Sequence, residues 1–236
     1  MQAIIITLLS GFAFVIGYLI TKFIKNEKKL VIFSVGFSFT IILGLMFFDL
    51  LPECLELVSN KLYMIFFIII GIAILKILDF FVPNHSHNSS HNHHMAHIGL
   101  ISALALILHN IIEGTAIYST SLNDSKMGFI MSLAVSFHNI PLGIQISSLI
   151  KNKKEKFILL SGLVLSSIIG IILINLFKIT LNDAILGVLI SITLGMLIYI
   201  SMFELLCEIK EHIKEKEVHF GIILGIVITI VGILLG

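Results

Sequence analysis

Several residue types that soluble proteins use freely are rare or missing in this chain. Its 236 residues include no tryptophan, no arginine, three prolines and two cysteines, Cys54 and Cys207. Without arginine the chain lacks the usual two-point binder of phosphate, and a net charge of +1 gives no basic surface for nucleic acid. Two cysteines exclude a disulfide framework. Only 12% of the residues are charged, which is about half the share of a soluble domain.

Long apolar runs take the place of the missing polar residues. Hydrophobic residues make up 58% of the chain, and the mean hydropathy is +1.11. A helix needs about 20 apolar residues to cross a bilayer, and continuous rather than alternating runs favour helices over a β-barrel. We therefore predict a single all-α domain, multi-pass in the cell membrane, with eight spans. They lie at about residues 3–24, 30–52, 62–82, 98–120, 127–150, 156–177, 185–207 and 218–235.

The placement of the lysines predicts the orientation of the spans. With the N-terminus outside, twelve lysines fall on the inside and only Lys61, Lys126 and Lys178 on the outside. Inner connections of membrane proteins carry an excess of basic residues. We therefore expect both termini outside and the histidine-rich loop 83–97 in the cytoplasm.

Two pairs of short motifs repeat along the chain. FDLLPE (48–53) closes the second span and FELLCE (203–208) closes the seventh, while HNIIEG (109–114) and HNIPLG (138–143) lie within the fourth and fifth. The members of each pair run in opposite directions through the membrane. Such echoes are typical of an inverted repeat, whose substrate site lies near the midplane.

The fourth and fifth spans carry polar groups where the bilayer is least tolerant of them, at a cost of about 2.5–3.5 kcal/mol for each charged group. His109, Asn110 and Glu113 share one face of the fourth helix, and the fifth offers His138 and Asn139 at the matching depth. Imidazole with carboxylate suits zinc and other first-row dications, whereas calcium and magnesium prefer oxygen alone. We predict that these five side chains bind a divalent transition metal. The alternative is structural, with histidines that bond across helices and a packed, neutral Glu113.

Other polar residues lie nearer the ends of the spans. Asp49 and Glu53 are predicted to collect cations at the outer rim, and Glu204 and Glu208 to form a cytoplasmic exit. Ordinary solvation at the interface is the alternative for all four. Met46 is a further candidate, as a soft thioether ligand.

The loop histidines form a separate candidate group. Six imidazoles without a framework predict weak, adaptable metal capture, and a plain polar linker is the alternative. They are His85, His87, His91, His93, His94 and His97.

Three functions compete. A metal carrier fits best. The sequence contains no P-loop, so it shows no sign of an ATP-driven motor. A membrane-embedded metalloenzyme is disfavoured because neither HExxH nor Gly-x-Ser-x-Gly occurs. A sensor that binds metal without carrying it is the third possibility.

These motifs resemble those of the ZIP (ZRT/IRT-like) family of divalent-metal transporters, over essentially the whole chain. GMLIYISMFELL (195–206) and FFDLLPE (47–53) add to the paired HN motifs. The resemblance implies eight helices in a 3+2+3 inverted repeat, a metal site between the fourth and fifth helices, and a homodimer with elevator-like alternating access. It also implies uptake of zinc, iron, manganese or cadmium, with no organic cofactor.

Two positions depart from the family pattern. Leu142 stands where the fifth-helix motif usually has glutamate, and Leu165 stands where the sixth helix often has one. We therefore expect a single metal position centred on His109, Glu113 and His138, rather than a two-metal centre that shares carboxylates.

Overall fold

The structure is a computed structural model that describes residues 1–81, 91–177 and 182–235. Regular structure in these ranges is helical, and eight helices are long and apolar enough to cross a bilayer. The predicted all-α fold with eight spans is thereby confirmed. In chain order the helices are α1 Gln2–Thr21, α2 Glu27–Leu57, α3 Lys61–Phe81, α4 His91–Asn123, α5 Ser125–Leu149, α6 Lys153–Phe177, α7 Asp183–Glu211 and α8 Lys216–Leu235.

Short polar residues determine where several helices begin. Asn26 accepts a hydrogen bond from the Lys29 backbone N–H at 3.1 Å, and Asn182 accepts one from Ile185 at 2.9 Å. Asp124 accepts from both Lys126 and Met127, at 2.8 and 3.1 Å. These contacts satisfy N–H groups that lack a partner within the first turn of a helix, so each helix can start at once after a tight connection.

The bounds differ most from the sequence expectation at two places. Helix α2 continues beyond residue 52 to Leu57, and α4 begins at His91, inside the segment expected to be a loop. A π-helical segment, Met46–Leu50, precedes Pro52 and widens the turn where the ring would otherwise clash with the helix backbone. At α4, His97 pairs with Asp79 of α3, and this contact holds the early turns of the helix against the bundle.

Helix packing divides the eight helices into two groups. Helices α1, α4, α5 and α6 each contact the other three, whereas α2 packs along α8 and α3 along α7. Contacts of α2 with α5 and of α4 with α7 join the groups. Small residues permit these close approaches in a lipid solvent: a side chain at Gly71 of α3 or Gly195 of α7 would lie 3.1 Å from the other's Cα.

The chain crossings give the bundle a lysine-rich end and an opposite end. The lysine-rich end holds the connections 22–26, 150–152 and 212–215. Near it, Ser34 of α2 lies 2.6 Å from Ser148 of α5, measured between their hydroxyl oxygens, and a side chain at Gly99 of α4 would meet Leu149. These contacts set the depth of α2 and α4 against α5. The orientation of this end in the membrane and the inverted repeat stay predictions.

Candidate metal centre

One turn of α4 and one turn of α5 build the centre of the predicted site. His109 and Glu113 are four residues apart on α4, so their side chains lie on one face. His109 Nε2 is 3.1 Å from Glu113 Oε1, and His138 Nε2 of α5 is also 3.1 Å from that oxygen. The two imidazole rings are 6.0 Å apart between centroids. The structure thus brings together the three residues expected at the centre, with their ligand atoms within 4.8 Å of one another.

The polar atoms of this cluster are buried without ordinary partners. Among the described residues, neither His109 Nε2 nor His138 Nε2 makes an aligned hydrogen bond, and Glu113 Oε2 has none. Their side chains are 1%, 17% and 12% exposed respectively. Imidazole nitrogens and carboxylate oxygens that converge in this way present lone pairs to one point, which is the arrangement that a dication requires.

The two asparagines are anchored to other helices by their amide nitrogens. Asn110 donates to the Leu163 carbonyl of α6 at 3.3 Å, and Asn139 donates to the Ser10 carbonyl of α1 at 3.1 Å. Each Oδ1 atom is buried and accepts no hydrogen bond from the described part of the chain. These hydrogen bonds fix both amide groups and leave the Oδ1 atoms available to bind a metal. The role of the two asparagines as ligands stays a prediction.

A cavity of about 330 Å³ extends from the site toward the opposite end. His109, Glu113 and His138 line it, and so do Asp49 and Glu53 of α2. Apolar residues of α7 and α8 complete the wall, among them Leu186, Ile190, Ile228 and Ile233. The carboxylates predicted as an outer rim therefore share one cavity with the site.

Met46 lies beside this region but faces another helix. It is 4% exposed, and its sulfur accepts a hydrogen bond from Ser201 of α7 at 3.7 Å. It is not among the described residues that line the cavity. Its part as a ligand stays a prediction.

A second cluster of possible ligands lies toward the lysine-rich end. Asp79, His97 and Glu204, from α3, α4 and α7, place ligand atoms within 4.8 Å of one another. The imidazole of His97 pairs with Asp79, whose other oxygen accepts a hydrogen bond from the Tyr199 hydroxyl at 2.8 Å. Sequence reasoning missed Asp79 and Tyr199, and the only available signal was a carboxylate near the end of an apolar run. The sequence analysis placed His97 in a loop, whereas His97 is a buried helical residue.

The remaining predicted residues divide by position. Glu208 is 1% exposed and Glu204 9% exposed, so both carboxylates lie inside the protein, and their predicted role as an exit stays a prediction. His212 Nε2 lies 3.6 Å from Glu208 Oε2. His85 and His87 lie outside the described residues. His91, His93 and His94 belong to the first turn of α4.

Leu142 and Leu165, the two departures from the family pattern, have different surroundings. Leu142 is fully buried, four residues after His138 on α5. Leu165 of α6 is 52% exposed. Only the first of these positions lies inside the protein near the cluster.

Comparison with known proteins places this geometry in context. The family model described as ZIP Zinc transporter matches residues 1–235. A protein named Zinc transporter ZupT from Clostridium perfringens is 31% identical over 278 aligned residues, which cover 100% of this chain and 96% of the relative. Proteins of the same name from Oceanobacillus iheyensis and Streptococcus mutans are each 30% identical, over 99% of this chain and 97% of theirs.

Proposed function

Because the chain belongs to the ZIP zinc transporter family, we propose that it carries zinc toward the cytoplasm by alternating access to a site between α4 and α5. Membership makes it a multi-pass transporter of a divalent metal in the bacterial plasma membrane, and not an enzyme. The direction, the mechanism and the site are the parts that we propose.

The observation that carries the proposal is the convergence of His109, Glu113 and His138 at the inner end of a cavity. Two imidazoles and one carboxylate suit a borderline dication, and zinc is the first choice among the metals that accept such ligands. Iron, manganese and cadmium are the other expected substrates. Asn110 and Asn139 supply further oxygens, held in place by their bonds to α6 and α1.

Carboxylates at the two ends define a route. Asp49 and Glu53 line the cavity and attract cations from the opposite end. Asp79, His97 and Glu204 form a second set of ligand atoms toward the lysine-rich end. We propose that the metal leaves past this set and past Glu208. In alternating access, the site is open to only one end of the bundle at a time. In this structure it is accessible from the end opposite the lysine-rich end.

A sensor that binds zinc without carrying it is the competing function, and it is favoured by the missing fifth-helix glutamate at Leu142. A carrier moves metal across a sealed bilayer and a sensor does not.

We also propose that the protein works as a homodimer, as the family resemblance implies. Cross-linking in membranes would test this proposal.

Flux into zinc-free proteoliposomes tests the proposal. Wild-type protein should load the vesicles with zinc, and His109→Ala or Glu113→Gln should lower the initial rate at least about tenfold, because each removes a ligand. His219→Ala and Glu155→Gln are matched controls, since both positions are exposed and neither lines the cavity. Wild-type binding without flux would establish the sensor, and full flux in both site variants would refute the site.

A further inference from the structure

Three polar side chains deep in the bundle have no ordinary explanation. Ser38 of α2, Ser102 of α4 and Gln145 of α5 are each 0% exposed. The two hydroxyls, and both polar atoms of the Gln145 amide, make no hydrogen bond with the described residues. Buried polar groups in native proteins are nearly always paired, so a fully buried amide with neither atom bonded calls for a reason.

The positions of two of these residues follow from the metal site. Ser102 comes seven residues before His109, and Gln145 comes seven after His138. Seven residues are nearly two helical turns, so each lies on the face of its histidine, about 10 Å away. Helices α4 and α5 are antiparallel, so both displacements run toward the lysine-rich end. The histidine rings meet across this helix pair, and α4 still contacts α5 beyond Ser102, where Gly99 faces Leu149.

Helix α2 brings Ser38 to the same depth. Ser38 comes seven residues before Leu45, which lines the cavity, so the two share a face of α2. The contact between Ser34 and Ser148 lies one turn farther toward the lysine-rich end on both helices. Ser38 and Gln145 are therefore level with each other. We call Ser38, Ser102 and Gln145 the polar layer.

Apolar residues separate the polar layer from the metal site. Leu106 comes three residues before His109, Leu142 comes four after His138, and both are fully buried in the main hydrophobic core. Along the bundle, starting from the end opposite the lysine-rich end, the cavity comes first, then the metal site, the apolar barrier and the polar layer. The cluster of Asp79, His97 and Glu204 comes last.

We propose that the polar layer is part of the metal path on the lysine-rich side of the site, with Gln145 as its main contact. The inference rests on the proposed transport function. When this half of the path opens, the Gln145 carbonyl oxygen and the two hydroxyls replace part of the hydration shell of the departing zinc ion. Neutral oxygens solvate a cation without retaining it as a carboxylate would, which suits a place where the ion must not stop. When the path closes, the same groups are buried without partners.

The first test separates a transport role from a packing role. Gln145→Leu keeps the side-chain size and removes the unpaired amide, so thermal stability should be unchanged or higher. Zinc binding to the purified protein should be unchanged in calorimetry, because the metal site is intact. Zinc flux should fall about tenfold or more, because the ion meets an apolar surface. A variant that transports at the wild-type rate would overturn the inference.

Ser147→Ala is the matched control for this experiment. Ser147 lies on the same helix, is 2% exposed, and also has a hydroxyl without a hydrogen bond in the described chain. It is two residues from Gln145 and so lies on another side of α5. Its replacement should leave stability, binding and flux unchanged. An equal loss of flux in Ser147→Ala would reduce the Gln145 effect to general packing and overturn the inference.

A chemical measurement tests the path without relying on flux. In a background in which Cys54 and Cys207 are replaced by alanine, Gln145→Cys should react with a charged methanethiosulfonate reagent added at the lysine-rich face, and Ser147→Cys should not. Equal reactivity of the two cysteines, or none at either, would overturn the inference. Absence of zinc flux in the wild-type protein would instead refute the proposed function, so the two failures are distinguishable.

Discussion

At the scale of single residues, the proposed metal site is notable for having a single carboxylate. Glu113 is the one acidic side chain that contacts His109 and His138 in the described structure. Leu142 lies one turn from His138, and its burial means that a longer acidic side chain there would stay inside the protein. The number and strength of the bound ions should therefore respond to this one position.

We expect Leu142→Glu to tighten zinc binding about tenfold or to add a second bound ion, because a second carboxylate adds charge beside the imidazoles. Without zinc the variant should be less stable than wild type, since a buried acidic group lacks a partner. Titration calorimetry measures affinity and stoichiometry. Leu165→Glu is the control: that side chain is half exposed, so its replacement should leave zinc binding unchanged. Identical isotherms for Leu142→Glu and wild type would contradict the expectation.

The chemistry of individual residues was predictable where it depended on spacing within one helix. His109 and Glu113 could be placed on one face because they are four apart, and the repeated His-Asn pair indicated the partner helix. The second cluster was not predictable in this way. Tyr199 bonds to Asp79 across 120 positions of sequence, and such a pairing depends on how α3 packs against α7. The anchors of Asn110 and Asn139 on α6 and α1 escaped sequence reasoning for the same reason.

At the scale of elements, the two acidic motifs share a local distortion that no periodicity predicts. Both FDLLPE and FELLCE begin within π-helical segments, Met46–Leu50 in α2 and Ile200–Leu205 in α7. A π segment adds a residue to the turn and rotates the later turns of the helix, and such segments are frequent at functional sites. Asp49 lies within the first and Glu204 within the second. The two motifs are therefore similar in backbone conformation as well as in sequence, which supports the proposed inverted repeat.

Contacts between α3 and α4 lead to a prediction about His97. Replacing His97 by glutamine removes the imidazole that pairs with Asp79 and should lower the free energy of unfolding by about 1–3 kcal/mol. It should also lower zinc flux per folded molecule, because a ligand of the proposed exit is lost. Zinc affinity at His109, Glu113 and His138 should not change. Thermal unfolding, proteoliposome flux and calorimetry measure the three quantities.

The other loop histidines are the control for His97. A variant with glutamine at all five should keep most of its flux, because weak capture is not required for passage through the bundle. These positions are His85, His87, His91, His93 and His94. If this variant lost zinc flux while His97→Gln kept it, the cluster of Asp79, His97 and Glu204 would not be the exit. The loop would then be an obligatory relay.

At the scale of the whole molecule, the described structure shows a cavity that reaches the proposed metal site from one end of the bundle. Asp49 and Glu53 line this cavity, while Leu106 and Leu142, on the lysine-rich side of the site, are fully buried. A carrier in this state exchanges metal with the solution at the end opposite the lysine-rich end. If the lysine-rich end faces the cytoplasm, as the twelve-to-three distribution of lysines predicts, the cavity faces outward and this state is the one that takes up zinc.

Cysteine labelling in intact cells would test this orientation. With Cys207 replaced by serine, Ser59→Cys in the exposed connection between α2 and α3 should react with a membrane-impermeant maleimide added outside. Lys214→Cys in the exposed connection between α7 and α8 should react only after the membrane is permeabilised. The parent Cys207→Ser chain, whose remaining Cys54 is buried, measures the background. The reverse pattern would turn the cavity toward the cytoplasm. The state with this open cavity would then be the one that releases zinc, and Asp49 and Glu53 would mark the exit.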